Sequence, residues 1–267
     1  MKWSTWLAAM LLVPGLCAAA ERARPGKNAL EIRGQRQEVY YLPARNLPTG
    51  PAPPAILFAP GDGGWRGLAV EIAETMASWG HPVFGIDTKR YLESFTQGKA
   101  TLNEKQITDD MAEVGRWAIQ GLPGKLIFVG WSEGAGLGVL ALGAPENRLL
   151  YQGLIAVGLP ERAEMGWRWA DNITYITKKD PDEPMFATAP LLGAIAPAPL
   201  YVLQSTGDEY APPEVTKRIF AGARQPKRLE FVEAHNHRFD GNRDAFYKAL
   251  REGIGWIGNG SHSLASR

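Results

Sequence analysis

The chain has 267 residues, 45% of them hydrophobic and 21% charged, with a formal net charge of +1. That length and apolar content suit one well-packed globular domain. A near-neutral chain without a basic tract excludes nucleic acid as an expected partner. Its one cysteine, Cys17, excludes a disulfide framework.

The first twenty residues read as a cleavable export signal. Lys2 is the only charge before Glu21, an apolar run covers residues 6–16, and Ala18-Ala19-Ala20 supplies an A-x-A cleavage pattern. The apolar run is too short to span a bilayer. Cleavage after Ala20 removes Cys17, so the mature chain has no thiol to act as nucleophile or metal ligand. No cofactor and no metal are expected, and the expected location is the periplasm.

Residues 21–35 are charged and irregular and read as a flexible arm, with the domain proper expected over residues 36–257. Residues 38–42 (EVYYL) suggest an early strand. Four prolines and a glycine make residues 46–54 a loop. Residues 55–59 (AILFA) form an apolar run fit for a buried strand, and run into Pro60-Gly61-Asp62-Gly63-Gly64-Trp65. A glycine loop after such a strand can turn a backbone N–H into a site as an oxyanion donor. The Asp62 N–H is the leading candidate, with Gly63 as the alternative. An ordinary turn or a phosphate loop are the competing readings.

Residues 68–79 have helical spacing and stop at Gly80. Residues 81–87 (HPVFGID) read as a strand whose His81 lies at the end away from the site and is structural. Thr88-Lys89-Arg90-Tyr91 then falls on a loop, where two cations could meet a substrate phosphate or simply be solvated. Residues 101–121 form a long amphipathic helix.

The run at residues 126–129 is the expected central strand. Gly130-Trp131-Ser132-Glu133-Gly134 follows and matches G-x-S-x-G, with a small-residue helix over 135–142. Strand, tight turn and helix are the context that a nucleophile elbow requires. Ser132 is therefore the candidate nucleophile, and the Glu133 N–H the second oxyanion donor. Residues 154–158 form another strand. Residues 159–196 break the alternation, carry Trp167, Trp169, Tyr175 and Phe186, and read as an insertion.

The remaining strands, at residues 199–204 and 228–232, lead to Ser205-Thr206-Gly207-Asp208-Glu209 and to His235-Asn236-His237. A helix is expected over 213–221 and another over 243–257, with a disordered Gly/Ser-rich tail at 258–267. Alternating strands and helices predict an α/β fold with a mostly parallel sheet and helices on both faces. Ser132, Asp208 and His237 stand in the order Ser…Asp…His, each after a separate strand. Serine is a weak nucleophile that needs a neighbouring base, and a carboxylate fixes the base's tautomer. Glu209 and His235 remain the alternatives to Asp208 and His237, and the H-x-H pair finds no third cysteine or histidine ligand nearby.

The G-D-G-G-W-R loop at 61–66, the GIDTKRY stretch at 85–91, the elbow and the HRFDG run at 237–241 resemble the VirJ/AcvB group of bacterial periplasmic α/β-hydrolases, over residues 55–257. The resemblance implies an α/β-hydrolase fold, Ser132, Asp208 and His237 as the triad, and hydrolysis of lysyl- or alanyl-phosphatidylglycerol. On that reading Gly63, Trp65, Lys89 and Arg90 contact the substrate at the membrane surface, Lys89 or Arg90 meeting its phosphate. Asp62, Glu133, Glu209 or Glu214 would receive its amine. A general secreted carboxylesterase or lipase, and a non-catalytic binding partner of an export or envelope system, are the alternative functions.

Overall fold

The computed structural model describes residues 22–47, 49–169 and 184–264. The export segment expected at 1–20 lies outside the described residues, as does Tyr175 of the insertion.

Ten strands are described: β1 (Gly26–Ile32), β2 (Gln35–Leu42), β3 (Ile56–Ala59), β4 (Val83–Ile86), β5 (Leu126–Trp131), β6 (Tyr151–Val157), β7 (Arg162–Glu164), β8 (Met185–Ala187), β9 (Leu200–Ser205) and β10 (Lys227–Val232). Eight of them form one sheet in the order β1-β2-β4-β3-β5-β6-β9-β10. Every neighbouring pair from β4 to β10 is parallel, whereas β2 runs antiparallel to both β1 and β4. The helices are α1 (Leu68–Ser78), α2 (Thr88–Ser94), α3 (Glu104–Ala118), α4 (Glu133–Gly143), α5 (Leu192–Ile195), α6 (Pro213–Ala221) and α7 (Arg243–Leu264).

The central strands are apolar throughout because both sheet faces are covered. Successive side chains of a strand point to opposite faces. Leu57, Phe128 and Leu154 therefore join the core beneath α3 and α4, where Ile107, Met111 and Val114 of α3 meet them. Ile56, Phe58, Ile127 and Ile155 face the other way, toward Ile72 and Met76 of α1 and Phe246, Leu250 and Ile254 of α7. Each such side chain contributes about 1.5–3 kcal/mol on leaving water. The half-exposed edge strand β10 contributes less.

Three stretches differ from the sequence reading. Residues 26–32, expected to be an arm, pair along their length with β2 as a hairpin. The alternation of exposed and half-buried side chains in β1 is weak, because only its last residue, Ile32, is fully buried. The final helix continues past residue 257 to Leu264, through the stretch expected to be a disordered tail. Residues 88–94 form α2 rather than a loop, since the Asp87 side chain accepts the Arg90 N–H at 3.1 Å and caps its start.

Candidate active site

Ser132 sits where β5 gives way to α4, at φ 55° and ψ −122°. A non-glycine residue in that region is strained and is retained where the surroundings impose it. The Ser132 N–H donates to the Val157 carbonyl at 2.9 Å, and its own carbonyl accepts the Ala135 N–H at 2.8 Å. Close approach of α4 to the sheet is what needs Gly134, where a Cβ would run into the Ala59 carbonyl. The Ser132 hydroxyl therefore stands at the C-terminal edge of the parallel sheet, the side on which ligands bind in such folds.

His237 lies on the loop after β10, 8% exposed. Its Nδ1 meets Asp208 Oδ2 at 2.6 Å. That carboxylate also accepts N–H bonds from Gln204 Nε2 at 2.7 Å, Tyr210 at 2.9 Å and Ala211 at 3.0 Å. Burial works to raise the Asp208 pKa. The His237 hydrogen bond and charge, with the two backbone donors, outweigh it and hold the group below the usual carboxylate value. Asp208 is thus an ionised acceptor that sends the imidazole proton to Nδ1 and leaves Nε2 as the basic nitrogen. Nε2 is buried and has no hydrogen-bond partner among the described residues.

The imidazole is gripped on three sides. Trp131 stacks with it at 5.8 Å and Tyr210 meets it edge-on at 5.3 Å. Gly158 forms its floor, since a Cβ there would come within 2.5 Å of His237 Cε1. Ser132 and His237 therefore pack on adjoining residues, Val157 and Gly158, at the end of β6. Glu209 has a different part from Asp208, accepting the His237 backbone N–H at 2.9 Å. His235 packs instead against Gly241, and its backbone N–H donates to the Asp240 carbonyl.

The glycine loop adjoins the serine. Gly61 is buried, and a Cβ on it would lie 3.0 Å from Ser132 Cβ and 3.5 Å from its Oγ. The loop then turns on itself, with the Gly64 N–H donating to the Gly61 carbonyl at 3.0 Å. Asp62 and Gly63 form the middle of this turn, next to the nucleophile. Glu133 is the first residue of α4, and N–H groups at a helix start have no partner within the helix. Both expected oxyanion donors are thus carried by backbone that adjoins Ser132.

Residues 54–146 match the family model of the bacterial virulence protein VirJ. Among curated proteins none matches the chain. Solved structures share its fold. The α/β hydrolase GrgF from Penicillium sp. sh18 superposes with a TM-score of 0.66 at 12% identity, over 88% of this chain and 99% of that one. Est1E from Butyrivibrio proteoclasticus gives 0.60 at 15% identity, over 87% and 98%. XC6422 from Xanthomonas campestris, described as an α/β serine hydrolase without lid, gives 0.58 at 17% identity, over 88% and 96%. The chain has the α/β-hydrolase fold.

The VirJ segment holds the glycine loop and the elbow, while Asp208 and His237 lie beyond it. It also holds the four residues expected to contact substrate. Gly63, Trp65, Lys89 and Arg90 all line one open groove of about 1070 Å³, between the β1–β2 hairpin, the end of the glycine loop and α2. Ser132 is not among its walls. The Trp65 ring stacks on Tyr40 at 4.4 Å and fills the space over Gly85. One face of the ring is thus committed to packing.

The two cations of the VirJ segment expected to receive a phosphate have partners within the protein. Lys89 pairs with Glu93 at 3.4 Å and lies 3.7 Å over the Trp167 ring. Arg90 pairs with Glu38 at 2.6 Å. The local sequence carries no sign of either, because Glu38 is far away in the chain and α2 is too short to show a helical period. Arg36 and Arg66, which line the same groove, were not singled out. Nor were Gly158 and Gln204, although a glutamine ending an apolar strand before Ser-Thr-Gly-Asp is a readable signal.

Of the acids considered for an amine, Glu133 has its Oε2 held by the Glu164 N–H at 2.8 Å. Burial, and after it the charge of Asp62, push the Glu133 carboxyl up to about 8. Glu214 lies in the first turn of α6. In the insertion, Trp167 and Phe186 are buried in the core whereas Trp169 is exposed.

Proposed function

We propose that the chain is a periplasmic serine esterase that cleaves the aminoacyl ester of aminoacyl-phosphatidylglycerol, with lysyl or alanyl as the acyl group. The observation that carries the hydrolase reading is the His237–Asp208 pair, which leaves Nε2 basic, together with a strained Ser132 held on Val157, the residue before the Gly158 on which His237 packs. In this mechanism Nε2 takes the Ser132 proton as Oγ attacks the ester carbonyl. The N–H groups of Asp62 and Glu133 receive the charge that develops on the carbonyl oxygen. The imidazolium then protonates the departing lipid hydroxyl, and water releases the amino acid by the same steps. The resemblance of the VirJ segment supports the choice of substrate and of the periplasm, and the signal-like residues 1–20 support export.

The test uses the purified mature chain and its Ser132→Ala variant with lysyl- and alanyl-phosphatidylglycerol and with a short-chain nitrophenyl ester. Amino acid released by the wild type alone is the expected result. Cleavage of the nitrophenyl ester alone moves the substrate to simple carboxylic esters. Absence of both cleavages, with no covalent labelling by a fluorophosphonate, replaces catalysis by a binding role.

A further inference from the structure

The groove beside the glycine loop has a charge imbalance that the pairing within it does not remove. Lys27 and Arg90 share Glu38, at 2.5 Å and 2.6 Å. Lys89 takes Glu93, and Asp87 is committed to the Arg90 and Trp65 N–H groups. Two further arginines line the groove, Arg36 from β2 and Arg66 from the end of the loop. Both are exposed, and among the described residues neither guanidinium has a hydrogen bond or an ion pair. Five cations thus face three carboxylates, and the surplus resides on the two arginines that have no partner among the described residues.

Position gives that surplus a use. Gly61 packs on Ser132, and Gly64 lines the groove. The bond between them closes a tight turn, which holds its two ends within about 7 Å. A molecule whose ester carbonyl rests at Ser132 can extend a short arm past the turn into the groove. A guanidinium presents paired N–H donors that match two oxygens of a phosphate.

We propose that Arg36 and Arg66 form a phosphate subsite, which holds the phosphate of a substrate whose ester is cleaved at Ser132. This replaces Lys89 and Arg90 in that role and rests on the esterase reading given above. Lys89 and Arg90 instead shape the groove through Glu93 and Glu38.

The test is an equilibrium one, so that it does not depend on hydrolysis. Binding of glycerophosphoglycerol, of inorganic phosphate and of glycerol to the full mature chain is measured by calorimetry. It is repeated with Arg36→Gln plus Arg66→Gln, and with Lys105→Gln on α3 as a distant control. The expected result is binding of the phosphodiester but not of glycerol, weakened by roughly tenfold or more in the double variant, and weakened also by added salt. The Lys105 variant should bind as the wild type does. Binding of inorganic phosphate as tight as that of the diester supports the site but assigns it to free phosphate. No phosphodiester binding by the wild type, or equal binding by a double variant of unchanged melting temperature, overturns the proposal. If the diester binds while no ester is ever hydrolysed, the subsite stands and the esterase reading falls.

Discussion

Glu209 Oε2 accepts the backbone N–H of His237 at 2.9 Å, while the adjacent Asp208 holds the same residue's ring at 2.6 Å. Two neighbouring acids thus fix one histidine by its main chain and by its side chain. Their substitutions should separate. Asp208→Asn removes the charge that sets the tautomer and should lower kcat by about 10⁴-fold. Glu209→Ala frees the loop and should lower it by roughly 10- to 100-fold, since small displacements of a catalytic group are costly. Glu209→Gln keeps the acceptor and should recover most of that loss. Steady-state rates on a nitrophenyl ester measure all three. Equal rates for Glu209→Ala and wild type would remove its positioning role.

Glu133 predicts a pH dependence of stability. Its carboxyl is pushed up to about 8 in the folded chain, against about 4.3 when solvated. Between those values the folded state holds a proton that the unfolded chain has released. Its stabilising contribution is complete below the lower value and is lost as pH rises through the higher. Glu133→Gln should therefore melt like the wild type near pH 4 and above it at pH 9. Asp208, whose pKa is lowered, acts with the opposite sign, its contribution being lost as pH falls through its folded-state value. Thermal melts from pH 4 to 9 read the difference, and parallel curves for variant and wild type would refute it.

Gly61→Ala tests the contact between loop and nucleophile. The added methyl would press on Ser132 Cβ from 3.0 Å. Relief of that contact needs a shift of a few tenths of an ångström, so the acylation rate should fall by roughly tenfold, less than the roughly 100-fold scale of a 1 Å displacement at a reacting group. Time-resolved labelling by a fluorophosphonate measures this directly. Labelling at the wild-type rate would mean that the loop yields without consequence.

Asp87 ties two elements together. Its side chain caps α2 through the Arg90 N–H and also accepts the Trp65 N–H at 3.2 Å. Losing a helix cap costs about 0.5–2 kcal/mol. A second bond lost near the loop should take Asp87→Ala to the upper part of that range or beyond. Urea unfolding would register it as a lower midpoint at unchanged slope.

The sequence made the parallel core legible because strands buried on both faces read as unbroken apolar runs, as residues 56–59 and 126–129 do. Ser132 and Asp208 were legible because each follows an apolar strand, and His237 because it follows the alternating edge strand β10 in the order Ser…Asp…His. The hairpin strand β1 was not, since GKNALEI carries a single fully buried side chain and pairs only at one edge. Helix α2 is not legible because its seven residues are too few to show a period, and its start depends on the Asp87 cap. The partners of Lys89 and Arg90 depend on contacts to Trp167 and Glu38, which no local pattern announces.

The reversed hairpin β1–β2 makes the groove modular. It supplies Arg36, Glu38 and Tyr40 to the groove, whereas the nucleophile, base and acid all follow strands of the parallel sheet. It also precedes residues 54–146, the part that matches the VirJ family. One wall of the groove thus comes from a length of chain separate from the elbow, while Arg66, Lys89 and Arg90 come from within residues 54–146. Substitutions within residues 26–42 can therefore change that wall of the groove while leaving the elbow in place.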